Sequence, residues 1–275
     1  MSTTKTILFL GATGGVAFSA LQRSLKAGYT CIALCRNPAG LSSKFPDPDT
    51  PRPNLHIVHG NAHSVPDLIR CLTLTLTLTD TSTVSPVTHI FSSIGSWPSL
   101  TSPFTIADPK VCETGMAALL SAISSVRKSS SESPGSAAAT TRTGPPRWSP
   151  RIIATSSTGL SSVQRDIPVV YVPLYHVLLR QAHKDKKNME DLLIGSGEAD
   201  WTIVRASLYV DSKPGEDGKK TRVVRAGKED PVAKVVERKE VGYTISREDV
   251  GRWMFEELVE RDGGEWQRRV ASITY

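Results

Sequence analysis

What this chain has little of narrows it first. Cysteine and methionine are sparse, at four residues each in 275, and Cys31, Cys35, Cys71 and Cys112 form no C-x-x-C pair. In a chain of this length, that spacing predicts reduced thiols inside a core and argues against a disulfide framework or a metal cage. No uninterrupted apolar run approaches the roughly 20 residues that span a bilayer. Ile7 to Leu10 follows a lone Lys5 and is too short for the hydrophobic region of a signal peptide. The expectation is an intracellular, cytoplasmic protein with no membrane partner. There is also no G-x-S-x-G elbow, no H-E-x-x-H helix and no Walker phosphate loop, which sets hydrolase, zinc-protease and phosphotransferase chemistry aside. The formal net charge is +6, but Lys and Arg are scattered rather than gathered into a stripe. That pattern predicts a solvated basic surface that tolerates anionic ligands, with no nucleic-acid partner.

What is there is a series of short apolar runs with helical stretches between them: Ile7 to Leu10, Thr30 to Leu34, His56 to Val58, His89 to Phe91, Arg151 to Ala154 and Trp201 to Val204. Runs of this length without polar alternation suit strands covered on both faces, so the fold class is α/β, a Rossmann-type doubly wound and mostly parallel sheet. The length is near the limit for one hydrophobic core, which predicts a single domain over 1–275 with a small C-terminal substrate lobe mainly within 206–245, as monomer or homodimer. Asp108-Pro109 is a helix start, followed by Cys112, Met116, Leu119, Ile123 and Val126 on one helical face. Leu174, Val177 and Leu178 open a second apolar pattern that Met189, Leu192 and Leu193 continue up to Gly195. Ser246 with Asp249 resembles a capping box before a helix that turns Val250, Trp253, Met254 and Leu258 inward.

Two stretches break the rhythm. Leu72 to Thr79 alternates Leu and Thr, which fits either a half-buried strand or a low-complexity insertion after a helix. Ser129 to Pro150 is rich in Ser, Ala, Thr, Gly and Pro without apolar periodicity, and reads as a mobile surface loop. Residues 211–220 read as a further exposed connection.

The chemistry concentrates in Gly11-Ala12-Thr13-Gly14-Gly15-Val16-Ala17, directly after the first strand and opening a helix. Gly11 suits the tight turn, Gly14 lets backbone approach a pyrophosphate, and Ala17 stands where a third glycine often packs helix on strand. The helix N-terminus then offers unpaired N–H groups to negative charge. After the second strand, Arg36 stands where a carboxylate would grip a free ribose 2'-hydroxyl. A guanidinium there pairs with a 2'-phosphate, so the expected cofactor is NADP(H) rather than NAD(H).

These residues resemble the atypical short-chain dehydrogenase/reductase superfamily, in its NmrA-like and NAD(P)H-binding branch. The resemblance covers almost the whole chain: the GATGGVA loop, Ala33 to Pro38, Ser92-Ser93-Ile94-Gly95, Ile153 to Ser157, Lys187-Asn188-Met189-Glu190, Asp200 to Arg205 and Ile245 to Val250. It implies that Ile94 and Gly95 line the cofactor near its ribose, that Ser156 or Ser157 stands beside the nicotinamide, and that Lys187 hydrogen-bonds the nicotinamide ribose. The chain departs from the pattern where typical members carry a catalytic tyrosine four residues before the lysine, because His183 is there. His183 or the upstream Tyr171 and Tyr175 are then the proton-donor candidates. Asn61 replaces an aspartate that relatives use near the adenine, and Ala206 replaces a proline after Arg205.

The leading expectation is an NADP(H)-dependent oxidoreductase reducing a small carbonyl, enone or quinone-like substrate, with a place in secondary metabolism. Two alternatives account for the missing tyrosine as well: an NADP(H)-binding sensor without turnover, and a non-redox isomerase or lyase on the same scaffold.

Overall fold

Alternate residues of β1 (Thr6–Leu10) bury in opposite directions, Ile7 and Phe9 into one apolar cluster and Leu8 and Leu10 into another. A strand with no solvent-facing side must be covered by helices on both faces, and this decides the architecture. The computed structural model describes residues 5–47, 50–77, 86–96, 107–131, 148–173, 179–210 and 222–275.

The six apolar runs form β1, β2 (Thr30–Cys35), β3 (Leu55–His59), β4 (His89–Ser92), β5 (Arg151–Ser157) and β6 (Asp200–Ala206). With β7 (Leu208–Val210), β8 (Arg225–Asp230), β9 (Val235–Arg238), β10 (Thr244–Ser246) and β11 (Arg269–Thr274), they build a nine-stranded sheet in the order β3-β2-β1-β4-β5-β6-β11-β8-β9, and a parallel pair β7-β10. Pairing is parallel from β3 through β11, and β8 and β9 add antiparallel at the edge. The strand order reverses between β1 and β4, which opens a crevice at the carboxyl ends of those strands.

On one face lie α1 (Gly15–Lys26), the short α2 (Pro38–Ser42) and α6 (Arg247–Phe255); on the other lie α3 (Val65–Thr77), α4 (Val111–Ser131) and α5 (Arg180–Gly195). The helix starts follow from local chemistry. Asn37 Oδ1 accepts from Gly40 N at 3.2 Å to cap α2, and Ser246 Oγ accepts from Asp249 N at 3.0 Å to cap α6. Helices α1 and α6 touch closely enough that a Cβ on Gly251 would stand 2.2 Å from Val16 O, so backbone meets backbone there.

Beneath α5 the sheet carries a buried ion cluster. Arg205 holds Glu190 through both carboxylate oxygens, at 3.0 and 2.7 Å, and Glu229 at 3.2 Å. Ser161 donates to the other Glu229 oxygen at 2.6 Å.

The stretches that broke the sequence rhythm resolve in part. The Leu-Thr alternation continues α3 as far as Thr77, so the strand reading is corrected: Leu68 and Leu72, one helical turn apart, both bury, and Thr73 Oγ1 donates back to Ile69 O at 2.9 Å. Residues 78–85 lie outside the described residues. The loop reading over Ser129 to Pro150 is corrected at its start. Helix α4 runs on to Ser131, and Trp148 Nε1 donates to Val87 O at 2.8 Å ahead of β5; residues 132–147 lie outside the described residues, as do 211–221. The four cysteines are buried free thiols. Burial pushes their ionisation up, to about 11 for Cys35 and Cys112 and about 12 for Cys71, and further for Cys31, so they pack as small hydrophobes rather than act as nucleophiles. No helix among the described residues is long and apolar enough to cross a membrane.

Candidate cofactor and substrate crevice

Gly11 leaves β1 with φ of +84°, and a Cβ placed on it would stand 2.4 Å from Ser93 O. The turn therefore needs both a left-handed backbone and the absence of a side chain. Gly14 N donates to Gly11 O at 2.9 Å to close the loop, and Ala12 is fully buried beneath it. Thr13, Gly14 and Gly15 are exposed, while Val16 turns inward. Helix α1 then starts with no side-chain cap and no acid in its first turn. Its first amides point at the crevice as a ready anion site.

The neighbouring α4 makes a contrast. Both oxygens of the buried Asp185 accept from its first-turn amides, Cys112 N and Glu113 N, each at 2.9 Å. Positive potential is cancelled at α4 and left open at α1.

Arg36 is exposed past the end of β2 and makes no hydrogen bond or ion pair among the described residues. Asn61 is exposed after β3, and its Oδ1 accepts from His63 N at 3.1 Å, which leaves its amide group to face outward. Past β4, Ile94 is half-buried with its Cδ1 close over Gly115, its carbonyl accepts from Cys112 Sγ at 3.3 Å, and Gly95 is exposed. Gly11, Ile94 and Gly95 thus stand on neighbouring strand ends.

Ser156, near the end of β5, is 1% exposed, and its Oγ has no hydrogen-bond partner among the described residues. Ser157 is half-buried and donates to Thr158 O at 3.1 Å. From α5, the side chain that reaches this strand end is Lys186, whose Nζ donates to Thr155 O at 3.2 Å. Lys187, one residue on and rotated off that face, pairs with Asp191 on the outer side of the helix. His183 and Lys187 line a separate cavity beside the start of α5, together with Leu160 and Ile167. Tyr171 packs edge-on against Tyr243 with ring centroids 5.4 Å apart, and Tyr175 lies outside the described residues.

Three residues that sequence reasoning did not single out enter the site. Lys186 was legible in the helical period, because it stands three and seven residues before the buried Met189 and Leu193. Arg247, the first residue of α6, lays its stem 3.1 Å from where a Cβ of Gly15 would be, and its guanidinium stands 5.0 Å from the Tyr209 ring. Burial raises the Tyr209 phenol to about 12 despite the Arg247 charge. Asp166 is 2% exposed with Oδ1 accepting from Gly159 N at 2.8 Å. Burial raises its carboxyl above the usual value, against the opposing pull of Arg205.

Comparison with known proteins sets this geometry in context. Residues 114–261 match a family model described as NAD(P)H-binding. The chain is 35% identical to a protein named Reductase pytE from Aspergillus terreus, over all of both chains. It is 31% identical to one named Oxidase pynE from Aspergillus niger, over 98% of each. Among solved structures it shares its fold with a short-chain dehydrogenase/reductase of Veillonella parvula in complex with NADP, at 18% identity and a TM-score of 0.63, covering 98% of this chain and 94% of that one. It also shares it with the anaerobillin reductase ChuY of Escherichia coli, at 15% identity and a TM-score of 0.60, covering 98% and 96%.

Proposed function

This chain belongs to the NAD(P)H-binding family of oxidoreductases, allied to the atypical short-chain dehydrogenases/reductases, and from that premise we propose that it is an NADP(H)-dependent reductase of a small carbonyl, enone or quinone-like substrate. The carrying observation is the start of α1: a glycine turn that a Cβ would fill, opening a helix with neither cap nor acid, at the strand-order reversal. A dinucleotide pyrophosphate fits that place, and the Arg247 guanidinium held on Tyr209 adds a cation beside it. Arg36 is free to meet a 2'-phosphate, which a free ribose lacks. When bound, the nicotinamide supplies the hydride.

The chain's own residues orient and charge the reaction site. Lys186 presents an ammonium at the end of β5, where it would hydrogen-bond a ribose hydroxyl and raises the local positive potential. Ser156 Oγ, buried and unpartnered, is a donor for a carbonyl oxygen gaining negative charge. His183 lines the adjoining cavity and is its candidate proton carrier, though not in the tyrosine's register relative to Lys186. A relative named reductase and one named oxidase are consistent with one hydride scaffold worked in either direction.

The test is a fluorescence titration of NADPH and NADH on the wild type and Arg36→Ala, followed by NADPH oxidation over a panel of aldehydes, enones and quinones. Tighter NADPH binding that Arg36→Ala removes, with turnover, supports the proposal. Binding without turnover on any panel member moves the reading to a sensor or a non-redox enzyme, and no binding overturns it.

A further inference from the structure

One face of α5 carries positive charge at every turn. Arg180, His183, Lys184 and Lys187 follow one another at helical spacing along a cavity of about 260 Å³, whose apolar wall is Leu160 and Ile167. That volume is small beside the about 300–1,000 Å³ usual for ligand sites, so it suits one end of a small molecule. Lys187 already has Asp191. The side chains of Arg180 and Lys184 make no ion pair or hydrogen bond among the described residues.

A second observation is independent of those side chains. The cap position of α5 is Leu179, whose side chain accepts nothing, and the first turn holds no acid. Arg180 thus sits at the positive end of a helix dipole, the unfavourable end for a cation, with no acid in the first turn to offset it. Helices α1 and α5 are alike in this, whereas α4 is closed by Asp185. The cavity begins two residues past β5, at Gly159, so it adjoins the end of the strand that carries Ser156.

We propose that this cavity binds the carboxylate of an amphiphilic acid substrate, with Arg180 and Lys184 gripping the carboxylate and Leu160 and Ile167 holding its apolar body. That it is the substrate's carboxylate rests on the reductase reading; that the cavity prefers carboxylates does not. A guanidinium takes a carboxylate through two parallel hydrogen bonds, and the apolar wall distinguishes an organic acid from a bare inorganic anion.

The test is calorimetric titration of the full chain, with and without NADPH, using octanoate and cinnamate against their neutral amides and against inorganic phosphate. The expected result is that each carboxylate binds about tenfold or more tightly than its amide, the usual scale of a charge-assisted hydrogen bond. Phosphate should bind more weakly than either acid, and added NaCl should weaken the acids and not the amides. Arg180→Gln with Lys184→Gln should abolish the carboxylate preference while leaving NADPH affinity and thermal midpoint as in wild type, and Lys239→Gln, on the exposed surface elsewhere, should change nothing. Equal binding of acid and amide, no binding of either acid, phosphate binding as tightly as the acids, or a preference that survives the double variant would each overturn the proposal. Failure of the reductase reading shows separately, as loss of NADPH binding in the wild type.

Discussion

Adding one methyl group to Gly11 should separate the loop's architecture from its chemistry. Alanine there meets two obstacles: a backbone held at φ of +84°, and a Cβ 2.4 Å from Ser93 O, which belongs to rigid backbone at the end of β4. The left-handed conformation costs about 1–2 kcal/mol for a residue with a Cβ. Forcing the strand ends apart costs about 1–3 kcal/mol more. The sum, about 2–5 kcal/mol, is a large part of the about 5–15 kcal/mol that stabilises a typical domain, so the variant should fold with a much lower urea midpoint. It should also lose most of its NADPH affinity, because the loop amides move with the turn. Gly95→Ala is the control. No atom of the described residues lies within 4 Å of its added Cβ, so its unfolding should stay within about 0.5 kcal/mol of wild type. Any loss of NADPH binding in Gly95→Ala then reports a methyl against the cofactor rather than damage to the fold. If Gly11→Ala unfolds within about 1 kcal/mol of wild type and binds NADPH as before, the turn is not what shapes the loop and the reasoning is wrong.

Asp166→Asn should stabilise the protein near neutral pH. Burial raises the native carboxyl above its ordinary 3.8, so wild-type stability falls as pH rises above that value through the native pKa, and the Asn variant, which can still accept from Gly159 N, avoids the loss. Thermal midpoints across pH should diverge upward from about pH 4 and converge below it; parallel curves would refute the assignment. Lys186→Met should weaken NADPH by about tenfold to a hundredfold, and Lys187→Met, which breaks an exposed pair with Asp191, should leave NADPH affinity nearly unchanged; the reverse order would return the ribose contact to Lys187. Arg205→Met should cost about 3–5 kcal/mol in chemical denaturation, since it strands Glu190 and Glu229 as buried charges, and a loss under about 1 kcal/mol would show that the cluster is wetter than its geometry implies.

The first six strands were legible because burial on both faces demands continuous apolar runs in all but the half-buried edge strand β3, and Ile7 to Leu10 and Trp201 to Val204 are too short and too evenly apolar for an amphipathic helix. Strand β8 was not. Its sequence is Arg-Ala-Gly-Lys-Glu-Asp, and its two buried positions are Gly227 and Glu229, the second tolerated in the interior because Arg205 reaches it from β6. A carboxylate made acceptable by a partner 24 positions away has no local signature. The same holds for Asp185, which reads as one member of a charge run and proves to close the N-terminus of α4. The choice between Lys186 and Lys187 is different in kind. The helical phase set by Met189 and Leu193 was present in the sequence, and it points to Lys186; matching the family's usual spacing pointed one residue further.

That one-residue difference bears on the absent tyrosine. If Lys187 held the ribose, His183 would stand in the tyrosine's register and the catalytic pair would be complete with an imidazole in place of a phenol. With Lys186 at the strand end, the residue four positions earlier is Ala182, whose methyl group cannot act as an acid or base. His183 instead shares a wall with Arg180 and Lys184, on the side where a substrate would enter. On the proposed reading the helix divides its labour by face: one side would orient the cofactor through Lys186, and the next would meet the substrate through a row of cations and an imidazole. Under that proposal a hydride acceptor held by its own carboxylate would need less from a positioned phenol, because the charge developing on its oxygen would form beside Ser156 and the Lys186 ammonium, with His183 as its proton source.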